Sequence, residues 1–249
     1  MSINVNNSQS GLSIVIPIFN EEDNITGLFK KIKKFSEDIH FPYEFILVDG
    51  NSSDDSPNRI DKLIQSNHKI KISLIKMNKK VGYGHDIVAG LNAAQFDFMC
   101  WTHADLQTDI NDLKEAYNLI INVNDEVIVK GNRGNRSLIP TFFTFAMQIF
   151  VFFKLKVSLN DINAQPKVFS RNFYEKFLRN EAPDDFSLDL YLLRQGKINN
   201  IPILEFPVSF NKRKAGIAKG GGGSWKNRKQ LIKRTIKYIN KLSADKKNI

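Results

Sequence analysis

Apolar and polar positions alternate in blocks along the first half of the chain. LSIVIPIF (12–19) is a short β-branched run that reads as a fully buried strand. NEEDNITGLFKKIKKF follows, with acids early, lysines late, and Ile25, Leu28, Phe29, Ile32 and Phe35 at helical spacing. The same rhythm repeats. YEFILVD (43–49) predicts a second strand, and GNSSDDSP a turn cluster with helix-capping residues. IKISLIKM (70–77) is a third strand and GYGHDIVAGLNAA a glycine-opened helix. FDFMCW is a fourth strand, INDLKEAYNLII another helix and EVIVKG (126–131) a fifth strand. Strands alternating with helices imply right-handed βαβ units and a mostly parallel sheet, an α/β fold of Rossmann-like type.

After Gly131 the rhythm breaks. Residues 137–153 (SLIPTFFTFAMQIFVFF) carry no charge. The stretch after Pro140 spans only ~20 Å as a helix, against the ~30 Å of a bilayer's hydrocarbon core. It reads as a buried helix or as one lying in a membrane interface, not as a span. FSLDLYLLRQG is helical. IPILEFPVSF is strand-like, but Pro202 and Pro207 confine it to an edge or to short pieces. KGGGGS is a hinge. The tail WKNRKQLIKRTIKYINKL places Ile232, Ile236 and Ile239 on one face and cations elsewhere, a basic amphipathic helix. Three parts result: a disordered leader (1–10), a domain over 11–224 whose rhythm changes near residue 136, and the basic tail (225–249).

Composition changes this picture in two respects. The single cysteine, Cys100, removes any internal disulfide or thiolate zinc cluster. The formal charge of +10 is concentrated: residues 225–249 hold nine Lys/Arg against Asp245, a surplus of eight. That is a local basic patch suited to an anionic surface, whether lipid or nucleic acid. The start of the chain lacks the basic-then-apolar layout of a secretory signal.

In an open parallel sheet, ligands sit outside the carboxyl ends of the strands. The residues there are Pro17, Phe19, Asn20 and Glu21 after the first strand. Asp49, Asn51, Ser52 and Asp54 follow the second, and Thr102, His103, Asp105 and Gln107 the fourth. Asn20 and Asp54 also suit helix caps, and Asp49 a turn. Asp105 and Gln107 flank Leu106, so an extended segment points both at one spot. Their oxygens suit Mg²⁺ or Mn²⁺, and two protein ligands suffice when a substrate diphosphate completes the shell. Gly82 and Gly84 allow backbone N–H groups to approach a phosphate. Neither G-x-G-x-x-G nor a P-loop is present, since Ile87 stands where the third glycine belongs.

At these residues the chain resembles the inverting glycosyltransferases of family 2, in the branch that includes dolichol- and polyprenyl-phosphate sugar transferases. The likeness covers about residues 12–240. It rests on VIPIFNEEDNI, VDGNSSDDS, NKKVGYGHDIVAGLNAA, HADLQ, NAQPKVFSR, FSLDLYLL and KRKAGIAKGGGGSW, in that order. The resemblance implies a GT-A fold, with a nucleotide-binding half (about 11–136) and an acceptor half (about 137–224), a UDP- or GDP-sugar donor and a divalent cation. It assigns Pro17, Phe19 and Glu21 to the nucleoside pocket, and Asp49 to a hydrogen bond from base or ribose. Asp105 becomes the acidic metal ligand with Gln107 beside it, and Arg213 and Lys219 close a basic loop over the diphosphate. Three positions depart from the family pattern. His103 replaces the first acid of Asp-x-Asp and is a candidate Mn²⁺ ligand or a ribose contact. Gly50 replaces a second acid after Asp49, and NAQPKVFS replaces a Gly-Phe-Arg type segment.

Inversion requires an acceptor oxygen to attack the anomeric carbon opposite the leaving diphosphate. A hydroxyl acceptor needs a carboxylate to take its proton. Asp185 and Asp189 lie four apart on one predicted helical face. The family pattern best matches Asp189 as base, or as positioning group if the acceptor is an already ionised lipid phosphate. Arg133, Arg136 or Arg171 could then hold that phosphate. The aromatic run and basic tail would keep such an enzyme cytoplasmic, at the inner face of the membrane, acting on polyprenyl phosphate or a lipid-linked glycan, with nucleic acid not the expected partner. A second reading is a catalytically impaired binding protein, in which His103 marks a lost site and the tail binds membrane or nucleic acid. A sugar-nucleotide-forming nucleotidyltransferase is disfavoured because PIFNEEDN offers acids where a glycine- and arginine-rich loop is needed.

Overall fold

The computed structural model describes residues 9–134, 153–211 and 225–245. Seven strands form one sheet: β1 (Gln9–Ile18), β2 (Tyr43–Asp49), β3 (Ile72–Lys76), β4 (Phe96–Trp101), β5 (Ile128–Asn132), β6 (Lys167–Ser170) and β7 (Ile203–Pro207). Their spatial order is β3-β2-β1-β4-β6-β5-β7. All pairings are parallel except those of β6, which runs antiparallel to both neighbours. Four strands or helices of the first half, β2, β4, α1 (Glu22–Glu37) and α3 (Tyr83–Ala93), fall where the pattern predicts. The remaining helices are α2 (Ser56–Gln65), α4 (Asp112–Ile121), α5 (Arg171–Phe177), α6 (Leu188–Ile198) and α7 (Trp225–Asp245).

Alternate residues of the strands feed two cores. Leu12, Ile14, Ile16, Phe45 and Leu47 pack beneath α1 and α4, while Val15, Ile46, Val48, Met99 and Trp101 face α3 and α6. Helices therefore cover both faces, which is why β1 and β2 read as nearly continuous apolar runs rather than alternating ones. β7 lies at the sheet edge, where Pro207 costs no ladder bond.

The structure departs from expectation at two places. β1 begins at Gln9, inside the expected leader, and Ser10 Oγ lies 3.4 Å from Tyr117 Oη. β6 comes from NAQPKVFSR, a segment whose short apolar run carries no period, and α5 starts at its last residue, Arg171. Sheet pairing with β4 and β5 supplies what local pattern lacks. The tail packs into the protein: Ile239 and Leu242 are buried in the second core, with Tyr238 against it. Ile236 is partly buried, while Lys229, Lys233, Arg234 and Lys237 are exposed. Residues 137–152 and the glycine hinge lie outside the described residues, as do Arg136, Arg213 and Lys219.

Candidate functional site

The parallel register aligns the carboxyl ends of β1 and β2, with Ile18 opposite Asp49. The two loops that follow are tied together by side chain to backbone hydrogen bonds. The Asn20 N–H donates to Ser52 Oγ at 2.8 Å, and the Ser53 N–H to Asn20 Oδ1 at 2.7 Å. The Glu21 N–H donates to Ser56 Oγ at 2.9 Å, and the Glu22 N–H to Asp54 Oδ2 at 3.1 Å. Asn20 takes a left-handed φ of 52°, a conformation asparagine tolerates. Asp54 thus satisfies the first turn of α1 from the other loop, a cap supplied across the fold.

This weave redefines two expected nucleotide ligands. Asn20 is a staple between loops. The Glu21 carboxylate accepts from Asn24 Nδ2 at 2.6 Å within its own helix start. Pro17 and Phe19 are partly buried beside them, and Lys80 Nζ lies 3.5 Å from the centre of the Phe19 ring. Asp49 is buried at the strand end and accepts the Ser52 N–H at 3.2 Å.

The end of β4 is a turn, not the extended segment expected. Leu106 has φ 63°, and the Gln107 N–H donates to Asp105 Oδ1 at 3.1 Å, so the short acidic side chain closes an Asx-type turn. The Gln107 amide donates to the Asn211 carbonyl at 3.2 Å, with Asn211 N–H returning to Gln107 O at 2.8 Å. Gln107 therefore also ties down the segment leaving β7. Among the described residues no group of three or more His, Cys, Asp or Glu could hold a metal. The Asp105 carboxylate and Gln107 carbonyl are hard oxygen donors, partly exposed, and fit a cation whose shell a diphosphate and water complete. The His103 ring stacks on Tyr83 (centroids 5.7 Å apart, planes 12° apart), Tyr83 stacks in turn on Phe186 at 4.6 Å, and the Asp105 and Asp189 carboxylates act on the imidazole. Burial lowers the imidazole's pKa, favouring the neutral ring.

The antiparallel β6 brings Lys167 to the same edge, opposite Trp101. Lys167 is fully buried and donates to Asp189 Oδ1 at 2.5 Å and to the Ala164 carbonyl at 2.8 Å. Gln165 Nε2 reaches the same Oδ1 at 2.8 Å. Oδ2 takes no hydrogen bond from the described residues, so the carboxylate is clamped through one oxygen. Burial pushes Lys167 down to about 8, with Asp189 opposing that shift. Tyr83 is raised well above the usual phenol value, first by burial and then by Asp189. Two further cations are buried against acids: Arg133 on the buried Asp161 (Nε–Oδ2 2.9 Å), and Lys130 Nζ on the exposed Glu205, at 3.2 Å from its Oε1. Lys167, Gln165, Asp161 and Tyr83 were missed by sequence reasoning. A lysine opening an otherwise apolar strand, KVFS, was the available signal.

Several expectations are corrected. Gly82 and Gly84 do not lie open to a phosphate. A Cβ on either would strike the carbonyls of residues 183–185, and the His85 N–H already donates to Asp184 O at 3.1 Å. The glycines exist so that this loop can sit on the start of α3. Asp185 does not share a helical face with Asp189, because α6 begins at Leu188. The Asp185 carboxylate accepts the Ser187 N–H at 2.8 Å, a local turn bond. Arg133 is committed to Asp161. Arg171 lies at the opposite edge of the sheet, donating to the carbonyls of Ala94 and Phe96 at 2.9 and 2.7 Å, because an antiparallel β6 ends where β4 begins.

A Rossmann-like sheet with carboxylates gathered at its strand ends, extended by an antiparallel strand that carries a second cluster, is the architecture of a GT-A glycosyltransferase. Residues 13–183 match the model of glycosyl transferase family 2, and the chain belongs to that family. A dolichyl-phosphate beta-glucosyltransferase of Dictyostelium discoideum is 22% identical over 244 residues, 92% of this chain and 75% of that one. An undecaprenyl-phosphate 4-deoxy-4-formamido-L-arabinose transferase of Proteus mirabilis is 35% identical over 124 residues, 49% of this chain and 36% of its own length. Among solved structures, glucosyl-3-phosphoglycerate synthase from Mycobacterium tuberculosis, in complex with Mg²⁺ and UDP, superposes with a TM-score of 0.73. It shares 13% identity, covering 94% of this chain and 80% of that one. The protein is a glycosyltransferase.

Proposed function

We propose that this glycosyltransferase moves a sugar, with inversion, from a UDP- or GDP-sugar to a polyprenyl phosphate at the inner face of a membrane. The observation that carries this reading is the meeting of Asp49, Asp105 and the Asp189–Lys167 pair at one sheet edge. Asp49 and Phe19 form the nucleoside side of the pocket. Asp105, with the Gln107 carbonyl, is where Mg²⁺ or Mn²⁺ would be held, and such a cation supplies charge neutralisation for a departing diphosphate. Arg213 and Lys219, which lie outside the described residues, are the cations that the family resemblance assigns to that neutralisation. Asp189 lies on the acceptor side. Lys167 and Gln165 both donate to its Oδ1, a clamp that suits a positioning role toward an acceptor oxygen that arrives already ionised and has no proton to lose. Its Oδ2 is left to accept a hydrogen bond from a sugar hydroxyl and so to orient the reacting carbon.

No described helix is long and apolar enough to cross a membrane. The exposed Lys229, Lys233, Arg234 and Lys237 on α7 supply the attraction to an anionic leaflet, at about 1 kcal/mol per cation. Transfer is tested with UDP-, GDP-, CDP- and dTDP-sugars, Mn²⁺, and polyprenyl phosphate in anionic vesicles. One donor should raise the Tm and yield glycolipid, with the yield falling as salt rises, and Asp105→Ala should abolish transfer while remaining folded. No Tm shift with any donor, or undiminished transfer by Asp105→Ala, overturns the reading.

A further inference from the structure

A second carboxyl stands beside Asp49, on a different element. Asp86 lies in the first turn of α3, and its side chain is 9% exposed. A Cβ at Gly50 would strike Asp86 Oδ2, so this carboxyl occupies the space a side chain at position 50 would fill. Gly50 follows Asp49 directly, and its N–H donates to the Ile18 carbonyl at 2.8 Å. The Asp86 carboxyl is thereby fixed at the carboxyl ends of β1 and β2, beside Asp49 and Lys80, the latter lying over the Phe19 ring.

The group is buried but not satisfied. Oδ1 is enclosed without a hydrogen-bond partner; the nearest candidate is His85 Nδ1 at 3.6 Å, which is itself enclosed and unpartnered. No described residue donates to Oδ2. A buried acceptor in this state costs free energy, and nothing in the packing requires a carboxyl here, since an apolar residue would fill the same volume without that cost. The charged and titratable groups that face it are His85 from α3, Asp49 from β2 and Lys80 from the loop before α3. Burial pushes Asp86 up to about 6, Asp49 adds to that rise, and His85 and Lys80 oppose it.

We infer that Asp86 is a further binding residue for the nucleoside of the donor, accepting a hydrogen bond from a ribose hydroxyl or a base N–H at the strand-end pocket. The inference rests on the nucleotide-sugar reading above. An N–H or O–H arriving at Oδ2 gives the carboxylate the partner it lacks and favours its ionised form, so binding expels the proton that the empty protein holds at low pH. Only the ionised fraction is competent, and that fraction at pH 5 is about one-tenth of its value at pH 8. The donor's apparent affinity therefore falls about tenfold between pH 8 and pH 5. Nucleotide sugars are the appropriate probes, because their diphosphate has no group of its own that titrates in this range.

The experiment is calorimetric titration of the full-length protein with UDP-glucose and GDP-mannose, in Mn²⁺, at pH 5 and pH 8. The wild type should show the tenfold loss at low pH and release protons on binding at pH 6, read from two buffers of different ionisation enthalpy. Asp86→Asn, isosteric and uncharged, should bind more weakly than wild type at pH 8 and lose the pH step. The 2′-deoxy and N3-methyl forms of the UDP-sugar, or the 2′-deoxy and N1-methyl forms of the GDP-sugar, distinguish ribose from base: the analogue lacking the recognised donor should bind wild type no better than the parent binds Asp86→Asn. Wild type that binds neither probe at either pH overturns the donor assignment and this inference together. Wild type that binds one of them without proton release, or an Asp86→Asn variant with unchanged affinity at both pH values, overturns the role of Asp86 alone.

Discussion

The two sides of the strand-end pocket are held by different physics. On the side proposed for the donor, the loops after β1 and β2 are joined by short, mostly neutral side chains bonding to backbone N–H groups: Asn20 with Ser52 and Ser53, Ser56 with Glu21, Asp54 with Glu22. On the side proposed for the acceptor, β5, β6 and the residue after β5 carry long cations buried against acids: Lys130 on Glu205, Lys167 on Asp189, Arg133 on Asp161. A network of small neutral bonds loses little when one member goes. A buried ion pair punishes the loss of one partner, because the survivor is left charged in a poor dielectric. The donor pocket is thus built to be robust, whereas the acceptor side fixes a few charges rigidly at high individual cost.

That contrast can be broken most forcefully at Lys167. Lys167→Met should destabilise the protein by about 3–5 kcal/mol, measured by urea denaturation, because Asp189 is left buried and unpaired. The double change Lys167→Met/Asp189→Leu should recover most of that loss. A single variant as stable as wild type would show that the pair is not the support described. An intermediate effect is expected where the two sides join. Gly84→Ala places a methyl against the carbonyls of Pro183 and Asp185, so the loop leading into α6 must move. Overpacking of this kind costs about 1–3 kcal/mol, and displacement of Asp189 should depress sugar transfer far more than donor binding. Donor binding lost in parallel with transfer would place the damage on the nucleotide side instead. The smallest effect belongs to the donor loops: Ser56→Ala removes one bond to the Glu21 N–H and should lower stability by about 1 kcal/mol, with transfer nearly intact. A loss comparable to that of Lys167→Met would erase the distinction between the two sides.

Much of the nucleotide half was legible in the chain itself. Strands flanked by helices on both sheet faces are uniformly apolar, and their periodic helices bury one stripe, so local pattern and tertiary role coincide for β2, β4, α1 and α3. The placement of Asp49 and Asp105 at strand ends followed from the same regularity. NAQPKVFSR carried no such period, and its strand exists because β4 and β5 offer it a ladder on each side. The roles of the polar residues were the least legible. Asn20, Arg133 and Arg171 are of the residue types that bind substrates, yet each holds a partner that only folding brings near, while Glu21 and Asp185 bond within their own local turns.

Residue order alone determined the alternation of strands and helices, the basic end of the chain and the edge on which ligand groups would collect, because these depend on the spacing of apolar positions and on chain direction. The tertiary structure alone decided that Lys167 clamps Asp189, that Gly82 and Gly84 seat a loop and not a phosphate, and that Asp86 fills the space beside Gly50. Hydrogen bonds, ion pairs and close contacts between distant segments depend on distances of a few ångströms, and those distances are set only when the whole sheet and its helices are packed.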